Sequence, residues 1–125
     1  MGNKPSNNLE EFLNFVRDTK NEYLVVFDNV GKEDKRLQDL LHEIEFSENE
    51  KDKRKAATKL RSSRKERRKN KDRVQELEKI VDFFEDKQHK AVLNQLQQLL
   101  GAQRKIESFL DGERTYKQRV PEDGK

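Results

Sequence analysis

Leu60-Arg61-Ser62-Ser63-Arg64-Lys65-Glu66-Arg67-Arg68-Lys69-Asn70-Lys71-Asp72-Arg73 decides how this chain is read: no apolar side chain lies between Arg61 and Arg73, yet nothing there breaks a helix. The stretch has no Pro and no Gly, its Lys, Arg and Glu have good helix propensity, and apolar residues flank it at helical spacing. It therefore reads as the polar middle of one long helix. A seam of alternating three- and four-residue steps through Leu60, Ser63, Arg67, Asn70, Val74, Leu77, Val81 and Phe84 is apolar in its lower half, with Ser63, Arg67 and Asn70 as a polar layer above. An Arg turned toward a helix interface needs a carboxylate or an anionic ligand, because stripping water from a charge costs several kcal/mol.

Working outward, Ser47 and Glu50 have capping-box spacing and start this helix, which runs to about Glu85. Such a helix is too long for a compact domain of 125 residues, so something must run back along it. The expected partner is residues 90–110, where Val92, Leu96, Leu99, Gln103, Ile106 and Leu110 follow the three-four alternation and Leu93 and Leu100 widen the stripe. With a turn over Glu85 to His89, residues 47–112 form a long antiparallel, coiled-coil-like hairpin. Gly101 inside the second helix suggests a close backbone approach, and Asp111-Gly112 ends it.

Upstream, residues 1–46 read as an acidic segment of short helices. Ser6 or Asn7 caps a first helix with Leu9, Phe12, Leu13 and Val16 on one face. Tyr23-Leu24-Val25-Val26-Phe27 reads as its continuation, a buried strand being the alternative, since no second strand is available to pair with it. Gly31 is the expected left-handed stop, followed by a short amphipathic helix through Leu37, Leu40, Leu41 and Ile44. Residues 113–125 read as an extended polar tail.

The fold class is thus all-α, and the core is thin. With 42% charged and 30% hydrophobic residues, the apolar seams call for a second copy, so a homodimer is expected. The absence of cysteine removes disulfides and thiolate chemistry, and no apolar run has the length of a membrane span, which leads to an expected cytoplasmic location without membrane association. Charge is segregated: residues 1–50 carry six basic and twelve acidic groups, and residues 51–73 carry thirteen and three. Either the acidic third neutralises the basic helix internally, or the basic face awaits an external anion.

Catalytic constellations, metal-ligand spacings and cofactor motifs are not found, and His42 and His89 read as surface or turn residues, so a non-enzymatic protein is expected. Arg61, Arg64, Arg68 and Lys71 follow i, i+3, i+7, i+10 and form one cationic stripe of the kind suited to phosphate. Arg67 in the polar layer, Asn94 and Arg104 on the second helix, and Arg114, Tyr116 and Arg119 in the tail complete the candidate ligand-binding set; Tyr116 offers a ring for stacking on a base.

Residues from about Arg61 to Val120 resemble small coiled-coil proteins of phages and prophages of Gram-positive bacteria. The resemblance is carried by Arg64, Arg67-Arg68, Lys71-Asp72, the Glu78 to Phe84 stretch, Asn94, Gln98-Leu99-Leu100-Gly101, Arg114-Thr115-Tyr116 and Arg119-Val120. It covers about half of the chain and implies an accessory gene acting in the host cell cytoplasm, with counter-defence among its roles, but supplies no activity. The leading expectation is a binding protein that sequesters an anionic nucleotide-type ligand. The first alternative is an interaction protein that blocks a host or phage protein, and the third is nucleic-acid binding through the basic helix, which the acidic first third opposes by repulsion.

Overall fold

The computed structural model describes residues 4–112, which form three helices: α1 (Pro5–Phe46), α2 (Glu50–Glu85) and α3 (Lys87–Asp111). The fold is all-α, and residues 23–27 are helical. The tail expected from residue 113 onward lies outside the described residues.

The expected set of short N-terminal helices is instead the single 42-residue α1. Gly31 does not stop it and does not take up the left-handed conformation. A Gly inside a helix costs about 1 kcal/mol relative to Ala, and the turns just beyond it are held on α2 through Glu33, Asp34 and buried Leu40. Tertiary packing, which supplies most helical stability in proteins, outweighs that local cost. The start differs too. Pro5, with its φ already helical, opens α1 after Lys4, while the expected cap Ser6 is buried and bonded to Glu107 of α3.

After three linking residues, α2 begins with Asn49 as its cap, whose side chain accepts from the Lys51 N–H at 2.9 Å. The expected Ser47–Glu50 capping box is not formed: the Ser47 hydroxyl donates to the Asn49 carbonyl at 3.3 Å. The end at Glu85 is as expected, and the turn beyond it shrinks to Asp86, whose side chain accepts from the Gln88 N–H at 2.8 Å and so caps α3.

The helix that runs back along α2 is α1. Ser63 meets Glu33, Arg67 meets Asp34, and Phe84 packs edge-on against Phe12 with centroids 6.0 Å apart, so the two helices are antiparallel. The α2 seam read from sequence is the buried face: Ser63, Leu77 and Val81 are buried, and Leu60, Arg67, Asn70, Val74 and Phe84 are half-buried. Ala56, wholly inaccessible, continues it toward the turn.

In place of the expected return along α2, α3 lies against the N-terminal part of α1. Its C-terminal turns are tied there by Arg104 with Glu10, Glu107 with Ser6, and Asp111 with Lys4. Its register also differs from expectation. Leu100 is buried and Leu93, Leu96, Gln103 and Glu107 are half-buried, whereas Val92, Leu99, Ile106 and Leu110 stay about half exposed. Two adjacent apolar rows satisfy the same periodicity; the ties of Arg104 to Glu10 and of Glu107 to Ser6 turn one of them inward. Gly101 is exposed and no atom lies within 4 Å of where a Cβ would stand, so it serves no close approach among the described residues.

Candidate anion-binding face

A continuous helix through 61–73 carries its cations in two environments. Residues on the α1 side meet acids of α1. The Arg67 Nε donates to Asp34 Oδ1, and Arg67 keeps about a third of its side chain exposed. Arg73 forks onto Glu22 at 2.6 and 2.8 Å and reaches Glu76 at 2.8 Å. These bonds, with that to Glu22 first, hold the Arg73 guanidinium above its usual range, and the bond from Arg73 holds Glu22 below the usual carboxylate range. The acidic third thus neutralises part of the basic helix.

The remainder turns to solvent. Arg61, Arg64, Lys65, Arg68, Lys69 and Lys71 are exposed and form no ion pair among the described residues. Arg61, Arg64 and Arg68 border one shallow recess beside Leu60, and Arg64, Arg67, Arg68 and Lys71, together with the acidic Asp72, border the next, beside Leu37. From Arg61 to Lys71 the stripe is about 15 Å long at 1.5 Å per residue. Chemically it offers three planar forks and one ammonium on a rigid base, open along one side.

The other sequence-derived site residues lie elsewhere. Asn94 borders an apolar cleft where the three helices meet, beside Leu13, Phe84 and Leu93. That cleft is roughly 30 Å along α2 from Arg64, counting twenty-one residues to Glu85. Arg104 is bonded to Glu10. Arg114, Tyr116 and Arg119 lie outside the described residues. Among the described residues, the stripe and Asn94 or Arg104 do not share one pocket.

At the three-helix junction, Glu85 receives Lys20 at 2.6 Å and Lys90 at 2.9 Å, and these bonds lower its carboxyl to about 2. One carboxylate therefore links α1, α2 and α3. Sequence reasoning missed it, because Glu85-Asp86 reads as ordinary turn polarity until Lys20 is known to lie alongside. His89 stacks on Phe83 at 3.9 Å in that turn, and His42 stacks near Phe46 at 6.0 Å. Among the described residues no group of three His, Asp or Glu is arranged to hold a metal, and no helix is long and apolar enough to cross a membrane.

Comparison with family models, with curated proteins and with solved structures finds no match to this chain.

Proposed function

We propose that this chain is a non-catalytic helical binding protein whose outer α2 face takes an extended phosphate-rich anion, an oligonucleotide in preference to a single enclosed nucleotide. One observation carries the reading: Arg61, Arg64, Arg68 and Lys71 stand on consecutive turns of one rigid helix with no acidic partner among the described residues. Guanidinium forks match phosphate oxygens two at a time, and a helix presents them in a row. A compact nucleotide needs walls on several sides, whereas this face is open and Asn94 and Arg104 lie away from it. Repulsion by the acidic third is weakened because Glu22 and Asp34 are already paired with Arg73 and Arg67. A counter-defence role of the kind the resemblance implies would consist in holding such an anion away from a host effector.

Fluorescence anisotropy with a labelled single-stranded oligonucleotide, a duplex, and linear and cyclic nucleotides tests this. Four neutralised phosphates give a log–log salt slope of about −3 on a single strand, so affinity should fall about fifty-fold between 50 and 200 mM salt. Arg64→Glu with Arg68→Glu should weaken oligonucleotide binding by about a hundredfold or more while helicity is unchanged, both residues being exposed. Arg67→Ala should leave binding within about threefold and lower the melting midpoint by a few degrees, since a partly exposed ion pair contributes about 1 kcal/mol or less. Absence of oligonucleotide binding, or binding indifferent to salt and to the double reversal, overturns the proposal. Tight binding of a mononucleotide alone would return the enclosed-ligand reading.

A further inference from the structure

The outer row of α3 carries an inference independent of the basic face. Val92, Leu99, Ile106 and Leu110 are 48%, 49%, 55% and 52% exposed, at steps of seven, seven and four. A helix whose inner row already packs on α1 thus has a second apolar row facing solvent. Its setting is unusual for this chain, in which 42% of residues are charged and no other uncharged run exceeds five residues, yet the thirteen residues Ala91 to Gln103 carry no charge. Gln95, Leu96 and Ala102 flank the row, so its central turns have neither a charge to solvate them nor a charge to repel a like surface.

We infer that this row is a self-association surface on which α3 of a second copy packs antiparallel, about a two-fold axis at Leu99. Val92 and Ile106 stand seven residues to either side of Leu99, so reversal maps the row onto itself. Leu99 then meets the partner's Leu99, and Val92 meets the partner's Ile106, as an isologous interface requires. The helix dipole selects the antiparallel arrangement. That arrangement sets the N-terminus of each α3 beside the C-terminus of the other, so that the helix dipoles oppose, whereas a parallel pair would align them. The thin core points the same way: Leu13, Leu40, Ala56, Leu77, Val81 and Leu100 are the buried apolar residues among those described, so further apolar burial is worth much to this fold.

Sedimentation equilibrium of the full chain up to about 200 µM should return twice the 14.9 kDa chain mass, and Leu99→Lys should return a single chain mass with unchanged far-ultraviolet dichroism. Because the chain has no cysteine, single replacements report the geometry directly. On mild oxidation Leu99→Cys should form an intermolecular disulfide, while Val92→Cys, far from its own copy in an antiparallel pair, and Leu24→Cys, on exposed α1, should not. A wild-type chain that stays single at every concentration, or a Leu99→Lys variant that still pairs, overturns the inference. Cross-linking of Val92→Cys overturns the antiparallel arrangement, and cross-linking of Leu24→Cys but not Leu99→Cys moves the interface to α1.

Discussion

Leu77→Ala is expected to lower the melting midpoint by about 10 °C, from a loss of about 3 kcal/mol. Leu77 is 5% exposed and lies in the lower, apolar half of the α2 seam, where the antiparallel register places it level with the buried Thr19 of α1. Truncation removes the transfer energy of the lost carbons and leaves a cavity that two rigid helices refill poorly. Few buried apolar residues share the load, and total stability is of the order of 5–15 kcal/mol, so the change is a large fraction of the whole. Thermal melts followed by circular dichroism check it against Leu24→Ala, whose side chain is 55% exposed. Equal melting of the two variants would refute the placement of the core.

Opposite signs are expected from single and double replacement of the Glu33–Ser63 pair. Glu33 is 9% and Ser63 4% exposed, and the carboxylate accepts from the Ser63 hydroxyl and from Arg36 Nη1, the latter at 3.1 Å. Ser63→Ala withdraws one donor from a desolvated carboxylate and should cost about 1–3 kcal/mol. Glu33→Leu combined with Ser63→Ala removes the desolvated charge together with its partner, and should be neutral or stabilising by about 1–2 kcal/mol. Denaturant melts of the three proteins decide the matter. A double variant weaker than Ser63→Ala would mean that the carboxylate contributes net stability.

How much of this was legible in the sequence depended on whether a residue's neighbours along the chain were sufficient to place it. The α2 seam was readable because Leu60, Val74, Leu77, Val81 and Phe84 form a single apolar row, and extrapolating it by helical geometry put Ser63 and Arg67 on the right face. What meets them was not readable, since Glu33 and Asp34 come close only once α1 folds back over a three-residue link. Gly31 misled because its local preference opposes a helix that distant contacts hold together. On α3 the rows through Val92 and Leu93 have the same period, and Ser6 and Glu10, about a hundred residues away in sequence, settle which turns inward. For the candidate site, the cationic stripe could be derived from spacing alone. The grouping of Asn94 and Arg104 with it needed the direction of α3, which periodicity does not encode.

The side-by-side placement of an acid-rich and a base-rich helix has a kinetic consequence. Helix α1 carries five basic and ten acidic side chains and α2 fourteen and eight, and the two pack side by side, so the molecule carries a dipole moment transverse to its long axis. In the field of a polyanion such a rod experiences a torque before contact, turning α2 forward and α1 away. Orientational search is what reduces association rates below the diffusion limit, so for the proposed oligonucleotide ligand this torque should accelerate encounter by more than the net charge of +3 accounts for. Added salt should therefore slow association even at concentrations where the bound complex is still saturated, because screening suppresses the torque at a Debye length of about 8–10 Å.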